Sequence, residues 1–326
     1  MPFNNVISAA DAAALIPTDV SREIIKSLAT QNPLLRMARR LRNMASGAMS
    51  MPVQSALATA YFVNGATGLK QTTEINWTGV NVHAEELAAI APIPQSVLDD
   101  MQANGYDAWG EVRPSIEEAI GIAITQAVLY GTNIPANWIV DLGAAGIVAG
   151  ATAAGQTISL AAYLDAYEAI LGLTGAGVLG QYMLVEADGF PVTGNLAAVG
   201  LKGVLRNTRD LTGQPIFRTG MADATRYELD GSPIFFPDDG SIVAATSLNV
   251  AGDWRQLVYS MRQDISYTVA DQGVIQDATG AIVYNLFQQD MVALRCVIRL
   301  GFALPNPINR MNQVAATRFP FAVLTP

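Results

Sequence analysis

Between Ser115 and Tyr130 the apolar residues Ile116, Ala119, Ile120, Ala123, Ile124, Ala127 and Val128 recur at i, i+3, i+4 and i+7, while Glu117, Glu118 and Gln126 fall elsewhere. This spacing predicts a long amphipathic helix. Pro114 is tolerated near a helix start, Ser115 and Glu118 have capping-box spacing, and Gly131 suits a left-handed cap. Upstream, EELAAIAPIP predicts a short apolar strand that turns into the acidic half-turn QSVLDDM.

The N-terminal fifty residues predict an arm. Pro17-Thr18-Asp19 opens a helix over Val20, Ile24, Ile25 and Leu28, and Asn32-Pro33 stops it. Arg36, Arg39, Arg40 and Arg42 then form one basic cluster, which is either a solvated helix face or a set of partners for carboxylates on another subunit.

Residues 51–84 predict a hairpin or extended flap: strand-like ATAYFV, then Asn64-Gly65 and Thr67-Gly68, then strand-like TEINWTGVNV. A two-stranded hairpin is marginal alone in water, so it must lie on something.

After Gly131 the pattern predicts a Gly/Ala-rich loop, a helix over SLAAYLDAYEAILGL, a strand over QYMLVEA and a helix from Asn195 to Leu205. A hairpin-like succession follows, LTGQPIFR to YELDGSPIFFPDDG, and then a β-rich tail over DWRQLVYSMRQDISYTVAD, NLFQQDMVALRCVIRLGFAL and RFPFAVL. The fold class is therefore α+β.

Composition changes this picture in one respect. Of 326 residues 51% are hydrophobic and only 14% charged, against roughly a quarter in an ordinary chain. So little charge points to surface that is covered by other chains instead of water. The net charge of −9 argues against a surface that grips nucleic-acid phosphates. The single cysteine, Cys296, excludes an intrachain disulfide and fits a reducing compartment. The bland stretch from Ile139 to Ala154 is too short to span a bilayer, so no membrane partner is expected.

Candidate chemistry is sparse, and no catalytic, cofactor-binding or metal-ligating residues are assigned. His83, the lone histidine, reads as a surface residue of a strand, and no Cys/His zinc spacing exists. Gly175, Gly177 and Gly180 match GxGxxG, but a dinucleotide fingerprint needs a strand before it and a helix after it. The adjacent pairs Asp99-Asp100 and Asp238-Asp239 suit caps and turns. Asn76-Trp77-Thr78 is a glycosylation sequon by pattern only.

The order of parts discriminates further. EELAAIAPIPQSVLDDM with its helix, LKGVLRNTRDLTGQPIF, LDGSPIFF, GDWRQLVYSMRQDISYTV, FQQDMVALRCVIRLGF and RFPFAVL together resemble the major capsid proteins of tailed bacteriophages, the HK97-like family, over residues 50–326.

The resemblance implies an N-arm over 1–50, an E-loop over 51–87, a P-domain over 88–134 with its spine helix, an A-domain with a central sheet flanked by helices over 135–262, and closing P-domain strands over 263–326. It implies no enzyme but a subunit that builds pentamers and hexamers of an icosahedral head around double-stranded DNA, without sequence-specific binding. Separate scaffolding, portal and decoration proteins are the other partners it suggests, with assembly in the host cytoplasm and the virion as final location. Arg36, Arg39, Arg40, Arg42, Phe62, Lys70 and Trp77 are then the candidate inter-subunit contacts.

Some members weld their shells by an isopeptide bond from an E-loop lysine to an asparagine, assisted by a buried glutamate. Lys70 has a plausible position, but the alignment places Asp290 and Val297 at the other two sites, so non-covalent locking is expected. No long charged helical segment precedes the arm, and a fused scaffolding domain is not expected. An encapsulin-type compartment shell is the alternative within the fold, and an α/β nucleotide-dependent enzyme the remote one.

Overall fold

Two 13-residue segments in the last quarter of the chain form the longest of the described strands. The computed structural model describes residues 32–63, 68–103, 108–172, 179–208, 227–277 and 279–326. The expected helix over Val20 to Leu28 and the turn at Asn64-Gly65 lie outside the described residues.

The first elements are helix α1 (Pro33–Met37) and strands β1 (Arg39–Arg40), β2 (Ala48–Gln54), β3 (Trp77–His83) and β4 (Glu85–Pro94). Helices α2 (Gln95–Ala103), α3 (Ala108–Tyr130), α4 (Ala136–Leu142) and α5 (Ile147–Ala153) follow. Strand β5 (Thr157–Ser159), helices α6 (Ala166–Leu171) and α7 (Gln181–Ala187), strand β6 (Gly194–Ala197) and helix α8 (Val199–Asn207) come next. The rest is β: β7 (Glu228–Leu229), β8 (Ser232–Phe235), β9 (Asn249–Gly252), β10 (Val258–Ala270), β11 (Val274–Gln276), β12 (Ile282–Asn285), β13 (Met291–Ala303) and β14 (Phe321–Thr325).

One sheet has the order β1-β10-β13-β4, with β10, β13 and β4 antiparallel. Helix α3 lays Ile116, Ile120, Ile124, Ala127 and Val128 into the same core as Leu294, Cys296, Ile298 and Leu300 of β13. The second sheet has the order β5-β14-β9-β6-β8-β7. In it Leu196, Val250 and Val323 join the core that holds α3, while their neighbours Ala197, Ala251 and Leu324 join the core under α6 and α8. Alternate residues thus face opposite layers, and a strand buried on both faces reads as an unbroken apolar run, as FAVL does.

Several expectations require correction. Helix α3 begins at Ala108, so Pro114 lies inside it and Ser115 does not cap it. A proline there forgoes one backbone hydrogen bond, which packing along the rest of the helix outweighs. Ala119 is exposed and Glu117 is buried, close to Tyr267 and Cys296 of the first sheet. QYMLVEA is helix α7 and not a strand, with Gln181, Tyr182 and Val185 buried on one face. Its Gln, Met, Leu, Glu and Ala are good helix formers.

The long helix expected over SLAAYLDAYEAILGL is broken. A 3₁₀ turn at Leu160–Ala162 precedes α6, whose N-cap Asp165 accepts a hydrogen bond from the Glu168 amide. Residues 194–197 are a central strand before helix α8 instead of its first turn, since Asn195 is buried between β8 and β9. Strand β14 pairs with β9 and β5 in the second sheet.

Candidate inter-subunit surfaces

The flap begins as a regular ladder. β2 and β3 pair antiparallel from Ala48 opposite His83 to Gln54 opposite Trp77. This root rests on the body through Met49, Met51 and Val80, which pack on Met44, Val82, Val258 and Ala303. Beyond Gln54 the ladder stops, and ATAYFV is not a regular strand. Ala58 and Ala60 bring no bulk to cross-strand pairs. Past the amides of Ser55 and Ala56, which donate to the Asn76 carbonyl, side chains bridge the two segments: the Thr59 amide donates to Oγ1 of Thr73 at 2.9 Å, and the Tyr61 hydroxyl donates to the Gln71 carbonyl at 2.8 Å.

The flap carries its apolar groups outward. Phe62 is fully exposed, Leu69 is 89% exposed and Trp77 67%. Lys70 is exposed beside them. Scattered exposed apolar residues are ordinary, but three large ones on a projection without a core mark a contact surface.

At the flap's root His83 ends strand β3, partly exposed and bonded to the body. Its backbone amide donates to Oδ2 of Asp141 at 2.8 Å, and its Nδ1 lies 2.8 Å from the same oxygen. A carboxylate only accepts, so Nδ1 carries the proton. Asp141, on α4, is 4% exposed, and Trp138 one turn earlier donates from Nε1 to the His83 carbonyl at 3.1 Å. A Cβ at Gly301 of β13 would overlap that carbonyl oxygen, so the close approach of flap and sheet requires glycine there.

The arm's arginines follow α1, which Asn32 caps by accepting from the amides of Leu34 and Leu35. β1 then pairs in parallel with β10, and Ser260 donates to the Arg42 carbonyl at 2.6 Å. Backbone bonds thus fix this segment while its side chains stay outside: Arg36, Arg39, Arg40 and Arg42 are all exposed. Arg36 stacks over Phe235 at 5.4 Å and Arg40 donates to Asn43. Among the described residues none of the four forms an ion pair within the chain.

The phage capsid family model matches residues 12–309. The chain belongs to the phage capsid family. Solved structures of the same build include chains from Microbacterium phage Oxtober96, 32% identical with a TM-score of 0.76 over 98% of this chain and 99% of that one, and from Mycobacterium phage Cain, 27% identical with a TM-score of 0.73 over 98% of each. A curated relative, the probable major capsid protein gp17 of Mycobacterium phage D29, is 23% identical across 73% of this chain and 71% of that protein. The fold is HK97-like, and these relatives are structural proteins of capsids.

The remaining sequence candidates take structural positions or lie outside the described residues. Gly175 and Gly177 lie outside the described residues. Gly180 precedes helix α7, as a fingerprint would require, yet the element before the motif is helix α6 and not a strand. A Cβ at Gly180 would overlap the backbone of Leu171 and Gly172, so this glycine serves a close approach of α6 and α7. Asp99 accepts from Gln95 within α2, and Asp239 accepts from the Ser241 amide in a turn. Among the described residues no group of histidine, cysteine, aspartate and glutamate could hold a metal ion, and no single helix is long and apolar enough to cross a membrane.

Sequence reasoning missed a polar layer between α3 and the first sheet. Arg113 lies over the ring of Tyr267 at 5.7 Å, and Glu117 is buried close to Tyr267 and Cys296. Burial pushes the Cys296 thiol up to about 11, with the Glu117 charge adding, and burial likewise raises the Tyr267 hydroxyl. Glu117 carried a signal that periodicity overrode: it lies one residue from Ile116, at the edge of the apolar stripe.

Proposed function

We infer that this chain is the major capsid protein of a phage head, assembling with itself into pentamers and hexamers of a closed icosahedral shell around double-stranded DNA. The observation that carries the reading is the flap: a projection with Phe62, Leu69 and Trp77 exposed and no core of its own. Such an element is completed by a neighbour, and a closed symmetric array supplies each subunit with one. An interface of standard size buries about 800 Å² per partner, so a subunit with several neighbours covers a large uncharged surface. Residues 1–50 act as the arm and 51–87 as the E-loop. The P-domain is built around α3 and the first sheet, and the A-domain around the second. Arg36, Arg39, Arg40, Arg42, Phe62, Lys70 and Trp77 make inter-subunit contacts. No catalytic step belongs to this reading. Assembly takes place in the host cytoplasm, beside portal, scaffolding and decoration proteins.

Relatives from phage particles favour a DNA-filled head over the encapsulin-type compartment. Light scattering and negative-stain imaging of the purified chain test the reading. Closed particles with nucleic acid inside support it; a species of 34.5 kDa at all concentrations and salts, or particles loaded with a protein cargo, would overturn it. Deleting 62–77 is expected to leave a folded body that no longer closes shells.

A further inference from the structure

The flap's outer segments, 55–63 and 68–76, make hydrogen bonds chiefly with each other. Among the described residues a single hydrogen bond ties them to the body: Nη2 of Arg310 donates to the Ala58 carbonyl at 2.6 Å. Ala58 lies past the end of the β2–β3 ladder, so its carbonyl has no strand partner. We propose that Arg310 is the positioning residue that sets the angle of the flap, held in place by a hydrogen-bond network centred on the buried carboxylate of Asp188. The proposal rests on the reading of the flap as an inter-subunit element.

Arg310 sits in the connection between β13 and β14, which has no regular structure yet is fixed at many points. Asn309 forms a turn around it, accepting on Oδ1 from the amides of Met311 at 3.0 Å and Asn312 at 2.9 Å. Nδ2 of Asn309 donates to the Asp188 carbonyl at 2.6 Å, and Nδ2 of Asn312 donates to its Oδ1 at 2.7 Å. Oδ2 of Asp188 accepts from the Phe319 amide at 2.9 Å and from Nε2 of Gln156. Arg318, itself buried, clamps the base of the loop by donating to Oδ1 of Asn306 at 3.2 Å and to the carbonyls of Asn306 and Asn312 at 3.0 and 3.1 Å.

The arrangement is that of a strut. Asp188 caps the C-terminal end of α7, so the loop is anchored to the helix that packs on the second sheet. Arg310 reaches from this anchor to the flap's backbone. The root holds the flap at its inner end, and the Arg310 bond at Ala58 is a tie farther out. Arginine suits the task because its planar, multiply donating head keeps direction, whereas a lysine offers a point charge on a flexible stem. As the acceptor is a backbone carbonyl, the tie does not depend on which side chains the flap displays.

The test uses the full chain carrying Arg310→Ala, Arg310→Lys or Asn309→Ala, with amide hydrogen exchange read by mass spectrometry below the concentration at which particles form. Arg310→Ala should speed exchange of flap peptides about fivefold, the scale of one lost hydrogen bond, while peptides of β10 and β13 stay unchanged. Arg310→Lys should fall between wild type and Ala, and Asn309→Ala should shift the same flap peptides in the same direction. Electron microscopy of the assembled variants supplies a second readout, with a broader spread of particle diameters expected for Arg310→Ala. Unchanged flap exchange in Arg310→Ala overturns the strut whatever the particles look like. Faster flap exchange with unchanged particles upholds the strut and removes the flap's role in closure.

Discussion

Asp141 receives His83 through both its backbone amide and its imidazole, each at 2.8 Å. A single carboxylate on α4 therefore fixes where the flap leaves the body. Its own carbonyl accepts from the Leu304 amide at 3.0 Å, so helix, flap and the end of β13 meet at one residue.

That geometry orders the effects of three substitutions. Asp141→Ala leaves the His83 amide without its acceptor and is expected to cost about 1–3 kcal/mol. Asp141→Asn keeps an acceptor and costs less. His83→Ala preserves the backbone bond and costs the least. Urea midpoints check the order; a larger loss for His83→Ala than for Asp141→Ala would contradict it.

Replacing Arg36, Arg39, Arg40 and Arg42 by serine is expected to weaken assembly while leaving the subunit fold intact. Their side chains are exposed and form no ion pair within the chain among the described residues, whereas the backbone bonds to β10 do not depend on them. Exposed ion pairs carry roughly 0–1 kcal/mol and desolvated interfacial ones severalfold more, so a large loss of particle yield assigns them to an interface. Normal yield with a normal circular dichroism spectrum would assign them to solvent.

Boiled particles are expected to run as one band near 34.5 kDa, with no covalent ladder. Lys70 is exposed and could supply an amine, but the other two positions lack what the reaction needs. Asp290 is a carboxylate with no ammonia to lose, and Val297, between Ala88 and Ser266 in the sheet, cannot move a proton. A peptide cross-linked through Lys70 in mass spectrometry would refute this.

Cys296 is expected to resist alkylation at pH 8 in the folded protein and to react fully in urea, since it is buried and its thiol is pushed up to about 11. The same shift makes stability pH-dependent. From its ordinary value of 9.0 to about 11 the unfolded thiol loses its proton while the folded one keeps it. The unfolded state then binds fewer protons, so stability falls as pH rises through that window and is level below it. Cys296→Ala should flatten the slope of the urea midpoint against pH; an unaltered slope would show that the thiol does not contribute.

The parts whose signals are local were legible in the chain. The period of 3.6 in Ile116 to Val128, the β-rich tail, the arginine cluster and the turn-rich flap all depend on neighbours within a few residues. Their order along the chain was enough to place the family. What depends on residues far apart emerged only in the folded chain. QYMLVEA is compatible with strand or helix until α6 and β14 pack against it, and RFPFAVL belongs to the second sheet because β9 and β5 flank it. Glu117 is buried close to Tyr267 and Cys296 of the first sheet. The two ties of the flap join residues 58 positions apart, His83 with Asp141, and 252 apart, Ala58 with Arg310. A hydrogen bond forms when chain folding brings donor and acceptor within about 3 Å, and no local pattern encodes which distant residues will meet.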